Sequence, residues 1–302
     1  MSNDLAIEIQ DIGKSFNGVP ALEQINLQVG KGELFGLIGP DGAGKTTLFK
    51  ILTTLLIPDQ GAATVEGFDT VKDYKKIRKI IGYMPGQFSL YPDLTVEENL
   101  NFFATIFGTT IKENYHLIEE IYVQIEPFRK RRAGKLSGGM KQKLALCCAL
   151  IHRPEVLFLD EPTTGVDAVS RAEFWEMLKR LKTYGISILV STPYMDEAAL
   201  CERVALIQKG KILRVSTPEG IENGYQKPLY AIRAKAFYRL LNELRAMDFT
   251  ERVAPFGEYL HFTTKQEINM EELKNLLEKS AHEELEIKPI SASIEDVFLD
   301  LM

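Results

Sequence analysis

The fold of this chain is decided by one stretch, Gly39-Pro40-Asp41-Gly42-Ala43-Gly44-Lys45-Thr46-Thr47. Its spacing is glycine, four residues, glycine, lysine and a hydroxyl residue, the pattern of a loop that binds the phosphates of a nucleotide. The apolar residues 34–38 before it predict a buried strand, and residues 48–56 after it predict a helix. Strand, glycine loop and helix in this order are the setting that such a loop requires. The alternative is a glycine-rich turn without a ligand.

The residue types of this loop suit the chemistry of a triphosphate. The glycines lack the Cβ atoms that would keep backbone N–H groups away from phosphate oxygens. A helix beginning near Lys45 directs its positive N-terminal end at the same place. Lys45 adds a full charge near the β- and γ-phosphates, and the Thr46 hydroxyl is an oxygen ligand of the kind that Mg²⁺ prefers. We therefore predict that residues 39–47 bind ATP together with Mg²⁺.

A second signal is a pair of acids that ends an apolar run, Val156-Leu157-Phe158-Leu159-Asp160-Glu161. Four apolar residues before a polar end suit a central parallel strand. Ligands gather at the carboxyl ends of such strands, so we expect Asp160 beside the phosphate loop as a Mg²⁺ ligand, directly or through water. Glu161 would face the γ-phosphate and orient the attacking water as the catalytic residue. Taken alone, the pair could be the solvated end of a strand.

A third stretch, Leu136-Ser137-Gly138-Gly139-Met140-Lys141-Gln142, resembles the signature motif of ABC ATPases. With the other two motifs, this resemblance covers about residues 4–220. It implies an α/β fold of the P-loop NTPase class, an ABC-type cassette with a mixed sheet core, an antiparallel β subdomain and a helical subdomain. From the residues alone, the glycine turn could equally be a plain N-cap before a helix near Met140.

The resemblance also implies a partner. In that family two cassettes pair head to tail, and each ATP lies between the phosphate loop of one and the signature of the other. Ser137, Gly138 and Gly139 would then bind the ATP of a second cassette, in a homodimer or a heterodimer. Backbone N–H groups at the start of a helix are suited to binding an anion, which agrees with this role.

Three further residues match family positions that contact the nucleotide or its metal. Phe16 matches the aromatic on which adenine stacks, although an ordinary core phenylalanine is the alternative. Asp167 matches the loop through which the two active sites communicate, and it could also be the N-cap of a helix that starts at Ala168. The family's Mg²⁺-contacting glutamine is replaced here by Gly86, and Gln87 follows it. Because glycine permits unusual backbone angles, the loop could bring Gln87 to the metal.

The chain departs from the family at a second position. Pro193 occupies the place of the switch histidine, after Ser191 and Thr192. Proline has neither a side-chain donor nor a backbone N–H, so it cannot donate a hydrogen bond to the γ-phosphate. We therefore expect hydrolysis to be retained but weakened, and we hypothesise that this site pairs with a more complete site in a different subunit. A weakly hydrolysing regulatory subunit is one alternative function.

Composition limits the classes of partner. The 302 residues carry a net charge of −6, and no broad basic field is available for nucleic acid. The longest apolar run, residues 144–151, is too short to cross a bilayer. The three cysteines follow no metal-ligand spacing and indicate reduced thiols. We expect a peripheral protein on the cytoplasmic side of the cell membrane.

Two domains are predicted. Residues 1–224 would form the ATP-binding domain, with the helical subdomain at about 92–152, and residues 225–302 a small C-terminal α+β accessory domain. The ending Ile294-Glu295-Asp296-Val297-Phe298-Leu299 is similar to C-terminal pieces of bacterial ABC-2-type exporter ATPases. The resemblance implies the ATP-hydrolysing subunit of an ABC exporter, acting on a separate transmembrane permease. A soluble ABC ATPase that acts on ribosomes or DNA is the other alternative.

A docking surface for that permease is predicted on a proline-bearing loop. Phe88, Leu90 and Tyr91 lie there, in the region that accepts a short permease helix in the family. An exposed cluster of this kind would suit an interface. Core packing of the three side chains is the alternative.

Overall fold

The structure is a computed structural model that describes residues 4–87, 89–280 and 282–302. Two compact units divide the chain, the first ending at Pro218 and the second running from Glu219 to Met302. Across the described residues, no helix is both long enough and apolar enough to cross a membrane.

The elements of the first unit alternate between strands and helices. In chain order they are β1 Leu5–Phe16, β2 Val19–Gly30, β3 Leu34–Ile38, α1 Lys45–Leu52, β4 Gln60–Val65, β5 Phe68–Asp69, α2 Tyr74–Ile80, β6 Ile81–Met84, α3 Val96–Ile106, α4 Tyr115–Tyr122, α5 Gly138–Leu150, β7 Val156–Asp160, α6 Ala168–Lys182, β8 Ser187–Thr192, β9 Arg203–Gln208 and β10 Lys211–Ser216. A short helix, α7 Pro218–Glu222, begins at the last residue of the first unit, and its other residues belong to the second. Short 3-10 segments lie at Glu126–Phe128, Ala133–Lys135 and Met195–Leu200.

A six-stranded sheet in the order β10-β9-β3-β8-β7-β6 forms the centre of this unit. Its strands run parallel from β9 to β6, and only β10 is antiparallel to its neighbour. Every residue of β3, β7 and β8 is buried, as expected for parallel strands that are covered on both faces. Since β8 pairs with both β3 and β7, the phosphate loop and the acidic pair leave the same edge of the sheet.

A second sheet, β2-β1-β4-β5, is antiparallel and carries the N-terminal strands. Its apolar side chains join those of the central sheet and α1 in one core. The helical segment begins at α3, where Thr95 and Glu98 form the reciprocal hydrogen bonds of a capping box. The mixed sheet core, antiparallel β subdomain and helical subdomain predicted from the sequence are confirmed.

One predicted boundary is wrong. The helix after the phosphate loop was expected to cover residues 48–56, but α1 ends at Leu52. The Thr53 hydroxyl donates back to the Phe49 carbonyl, and Thr54 has a left-handed backbone with φ of 63°. This conformation stops the helix, and the chain then turns toward Pro58 and β4.

The second unit is a small α+β structure. Its elements are β11 Leu229–Arg233, α8 Phe237–Arg245, β12 Thr250–Phe256, β13 Tyr259–Thr264, α9 Met270–Lys279, β14 Glu286–Pro289 and α10 Ile294–Leu301. The strands form one antiparallel sheet in the order β12-β13-β11-β14. A βαββαβ chain with this strand order is the ferredoxin-like arrangement. Its core combines apolar residues of the sheet with those of α8 and α9.

Candidate active site

The phosphate loop runs from the end of β3 to the start of α1, and two of its glycines are required by space. A Cβ atom on Gly39 would lie 2.1 Å from the Ile207 carbonyl oxygen. One on Gly44 would lie 2.6 Å from the Ala21 carbonyl oxygen, and Gly44 has a φ of 108°. A side chain at either position would displace the backbone that shapes the loop.

Lys45 is buried inside this loop and fully engaged. Its Nζ donates to the carbonyl oxygens of Gly39 at 2.7 Å and Pro40 at 2.9 Å. The same nitrogen lies 3.0 Å from Glu161 Oε1. The structure therefore brings together the two charged residues that the sequence assigned to the γ-phosphate. Thr46 lies exposed on the first turn of α1, and Thr47 is partly buried.

Asp160 and Glu161 are fixed by a residue that sequence reasoning missed. The Ser191 hydroxyl donates to Asp160 Oδ1 at 2.7 Å. The Glu161 N–H in turn donates to the Ser191 carbonyl at 3.1 Å and to its hydroxyl oxygen at 3.0 Å. Glu161 has a left-handed φ of 52°, which turns its side chain out of the line of β7. The available signal was the position of Ser191 near the end of a predicted neighbouring strand.

Two more missed residues lie beyond Ser191. The Thr192 carbonyl accepts from the Gly39 N–H at 3.2 Å, so the end of β8 holds the start of the phosphate loop. The Thr192 hydroxyl donates to the buried carboxylate of Glu197. Pro193 follows directly and is partly buried. Thr192 therefore directly precedes Pro193, the position at which the resembled family has its histidine, and it is hydrogen-bonded to Glu197.

The signature turn caps α5. Ser137 is the N-cap, and its hydroxyl accepts from the Met140 N–H at 3.4 Å. A Cβ on Gly139 would lie 2.9 Å from Ser170 Oγ, so the turn contacts the first turn of α6 in its own chain. Ser137 and Gly138 remain exposed. The N-cap interpretation of this turn is confirmed, and the exposed N-terminal end of α5 is still available to a phosphate group.

Asp167 is the N-cap of α6, as the simpler of its two interpretations predicted. Its carboxylate accepts from the Ser170 N–H at 3.0 Å. Hydrogen bonds from the Ser170 backbone and side chain hold the pKa of Asp167 below its usual value.

Phe16 ends β1 with 47% of its surface exposed, and Lys14 Nζ lies 5.8 Å from its ring centroid. The alternative of Phe16 as a core side chain is therefore wrong.

The loop after β6 brings Gly86, rather than a glutamine, against the acidic pair. A Cβ on Gly86 would lie 3.1 Å from the Asp160 carbonyl oxygen and 3.9 Å from Glu161 Cβ. Gln87 is exposed on the same loop. A contact of Gln87 with a metal remains a prediction.

The predicted docking cluster is only partly exposed. Tyr91 is 48% exposed and packs edge-on against Phe102, with ring centroids 4.7 Å apart. Leu90 is only 5% exposed, so its prediction as an exposed anchor is wrong and core packing describes it better. Phe88 lies outside the described residues. Leu90 also lines a mainly apolar cleft of about 350 Å³, together with residues of β6, α3 and α5.

Comparison with known proteins decides the family. A profile described as ABC transporter matches residues 22–164. The Nod factor export ATP-binding protein I of Rhizobium sp. (strain N33) is 34% identical over 301 residues, which are 98% of this chain and 97% of that protein. This chain belongs to the ABC transporter family. The predicted family is thereby confirmed.

Other relatives of this ABC cassette differ in length. The probable multidrug ABC transporter ATP-binding protein YbhF of Escherichia coli (strain K12) is 37% identical over 307 residues, which are 99% of this chain but 52% of that protein. The chain thus spans about half the length of that relative. A solved dimeric ATP-binding cassette in a post-hydrolysis state with ADP and Pi has a TM-score of 0.64 and 26% identity, covering 70% of this chain and 98% of its own.

Proposed function

We propose that this ABC cassette binds and hydrolyses Mg·ATP in order to power export through a separate membrane permease. The observation that carries the proposal is the convergence of Lys45 and Glu161, 3.0 Å apart, at one edge of the parallel sheet. The carboxyl ends of parallel strands are where such folds bind ligands. Backbone N–H groups among residues 41–44, with Lys45 and Thr47, would hold the phosphates at this edge.

The residues offered to Mg²⁺ fit that ion. Thr46 supplies a hydroxyl and Asp160 a carboxylate, which are the oxygen ligands that Mg²⁺ prefers. The Ser191 hydroxyl donates to Oδ1 of Asp160, and Oδ2 is the oxygen proposed to face the metal or its water. Gln87 is a further proposed ligand. Bound Mg²⁺ would neutralise charge on the phosphates, which lowers the barrier to phosphoryl transfer.

Glu161 is the proposed catalytic residue. Its carboxylate forms an ion pair with Lys45. A γ-phosphate bound to Lys45 would take over that role and release the carboxylate, which could then orient and polarise the attacking water. Because Glu161 is held through its backbone by Ser191, its side chain can make this change without a shift of β7.

A second cassette is proposed to complete each site. Ser137 and Gly138 are exposed at the N-terminal end of α5, where they would contact the γ-phosphate of ATP held by the partner. Gly139 and Asp167 belong to the same proposed contact, and Phe16 would stack on adenine. The dimeric state of the solved cassette named above supports this arrangement.

The permease is proposed to dock near Tyr91. This ring lies on the loop that also contributes Leu90 to the apolar cleft, and exposed apolar surface of this kind favours a protein interface. Export is supported by relatives named for Nod factor export and for doxorubicin and linearmycin resistance. The protein would then be peripheral, on the cytoplasmic side of the membrane. Its net charge of −6 disfavours the alternative of a DNA- or ribosome-acting ATPase.

Phosphate release from Mg·ATP tests the activity. Wild type should hydrolyse ATP, and Glu161→Gln should reduce turnover by about 100-fold or more. Pro193→His should raise turnover if the missing donor weakens the site. A wild type that is already fast and does not respond to Pro193→His would exclude the weakened site. A wild type as inactive as Glu161→Gln would exclude the proposed ATPase.

Two binding measurements test the partners. Glu161→Gln saturated with Mg·ATP should elute as a dimer in gel filtration, alone or with a cognate cassette. A variant that remains monomeric under both conditions would contradict the shared site. Tyr91→Asp should abolish co-purification with the permease, whereas Tyr184→Asp, at another half-exposed tyrosine, should not. Equal recovery of both variants would exclude Tyr91 as an anchor.

A further inference from the structure

A buried carboxylate, Glu197, joins three segments around the active site. It lies in the 3-10 segment after β8 and is only 1% exposed. Its Oε2 accepts from the hydroxyls of both Thr192 and Thr163, the latter at 3.1 Å. Its Oε1 lies 3.6 Å from Arg171 Nε, an ion pair too long for a hydrogen bond.

Each of these partners adjoins a different part of the active site. Thr192 holds the Gly39 N–H of the phosphate loop through its carbonyl. Thr163 lies two residues after the proposed catalytic Glu161. Arg171 lies on the first turn of α6, where its N–H donates to the carbonyl of Asp167 at 2.9 Å. One carboxylate therefore connects the phosphate loop, the segment after the catalytic acid and the start of α6.

Such a carboxylate is costly for the fold. Removing an ionised group from water costs several kcal/mol, which its hydrogen bonds and ion pair offset only in part. An apolar side chain of similar volume would fill the same space at a smaller cost. The hydroxyl donors Thr192 and Thr163 come from separate segments, so the contact restricts how those segments can move relative to each other. This favours a role in geometry over a role in stability.

We infer that Glu197 is a positioning residue for ATP hydrolysis. It fixes the relative positions of the segments that face the γ-phosphate in the proposed site. The inference rests on the proposed ATPase function. In this chain Pro193 has no donor for the phosphate, so the geometry of that side depends on the backbone at Thr192 and at Glu161. Glu197 holds Thr192 itself and, at Thr163, the segment that follows Glu161, through hydroxyl groups that do not themselves need to touch the nucleotide. Loss of the hydrogen bonds between Glu197 and the two threonines should slow the chemical step of ATP hydrolysis and leave nucleotide binding largely intact.

Hydroxyl deletions test this inference in the full-length protein. Thr163→Val removes one donor to Glu197 with little change of shape, Glu197→Gln removes the charge, and Thr163→Ser restores the donor. The matched control is Thr264→Val, because Thr264 is also buried and donates to the Gln266 carbonyl at 2.7 Å, but in the C-terminal unit. For each variant, kcat and KM for Mg·ATP, the Kd for ADP and the unfolding temperature are measured.

We expect Thr163→Val and Glu197→Gln to lower kcat by about tenfold or more, since small misplacements of catalytic groups are that costly. The Kd for ADP should change by less than about twofold, and Thr163→Ser should recover most of the kcat. Thr264→Val should lower the unfolding temperature alone. If Thr163→Val keeps the wild-type kcat, or loses only what Thr264→Val loses, Glu197 has no positioning role. A wild type that releases no phosphate would instead overturn the ATPase proposal and this inference with it.

Discussion

Lys45 Nζ lies 3.0 Å from Glu161 Oε1, and it also donates to the two carbonyls that open the phosphate loop. The lysine that we propose contacts the nucleotide thus has three acceptors, and Glu161 is the only charged one among them. We expect phosphate oxygens to displace this carboxylate in order to reach Nζ. Nucleotide binding and release of Glu161 should then be coupled through this ion pair.

Removal of the Glu161 charge should strengthen nucleotide binding. In Glu161→Gln the phosphates no longer compete with a carboxylate for Lys45, and repulsion between the carboxylate and the phosphates is lost. We expect the Kd for ADP to fall by about threefold to tenfold. Titration with a fluorescent ADP analogue measures this. The control is Glu173→Gln, which removes a charge from the half-exposed partner of Lys143. An unchanged Kd in Glu161→Gln would show that the pair does not compete with phosphate.

Gly39→Ala should damage both the fold and the site. Its Cβ would lie 2.1 Å from the Ile207 carbonyl oxygen, so strand β9 or the loop has to move. We expect a loss of about 1–3 kcal/mol of unfolding free energy, together with weak nucleotide binding. Gly13→Ala is the matched control, because its Cβ would meet only ordinary contacts at 3.5 Å or more. Equal unfolding free energies of the two variants in urea would contradict this account.

Phe16→Ala should weaken ATP binding without weakening the fold. The ring is half exposed at the end of β1, so its deletion leaves no core cavity. Stacking of one base on an aromatic ring is worth about 1–3 kcal/mol, which is roughly a fivefold to hundredfold change in Kd. Phe16→Tyr should bind like wild type. Because stacking does not distinguish bases, the affinity for GTP should fall in parallel with that for ATP. An unaffected ATP affinity in Phe16→Ala would remove Phe16 from the site.

Asp296 should make the C-terminal unit sensitive to acid. Burial raises the pKa of this carboxyl, but hydrogen bonds from His261 and Ser293 outweigh it and hold the pKa below its usual value. Arg252 also donates to the backbone carbonyl of Asp296. A carboxylate with a lowered folded pKa stabilises the fold above its unfolded pKa of 3.8, and this contribution is lost as the pH falls through the folded pKa.

The test compares Asp296→Asn with Glu295→Gln, a change at the exposed neighbour, in urea unfolding followed by circular dichroism. Asp296→Asn should lose about 1–2 kcal/mol near pH 7, because it weakens the capping box of α10, and should approach wild type in acid. Glu295→Gln should follow wild type throughout. Parallel pH profiles for wild type and Asp296→Asn would contradict the role of this carboxylate.

The sequence predicted those parts of the site that consist of residues adjacent to one another in the chain. The phosphate loop, the acidic pair and the signature turn each carry their chemistry within a few positions, and the structure gives each the expected strand or helix. The fold class followed from the family resemblance that these three motifs carry.

The residues that the sequence analysis missed form hydrogen bonds between segments that are distant in the chain and adjacent in the central sheet. Ser191 reaches Asp160, and Thr192 reaches Gly39, only because β8 lies between β3 and β7 in one particular register. Glu197 had no motif to mark it, and its burial depends on partners from three segments. Leu90 was expected at the surface because it neighbours Tyr91, but the loop turns one side chain inward and the other outward. Such choices depend on tertiary packing that no local pattern encodes.

The position of β3 between β8 and β9 has a consequence for the order of synthesis. Both hydrogen-bonded neighbours of the strand that carries the phosphate loop begin at Ser187 or later, although the loop itself ends at Lys45. A nascent chain on the ribosome therefore holds a complete nucleotide-binding sequence long before the strands that frame it have emerged. Since pairing between distant segments is slow, we expect the growing chain to gain affinity for ATP only near the end of translation of the first unit.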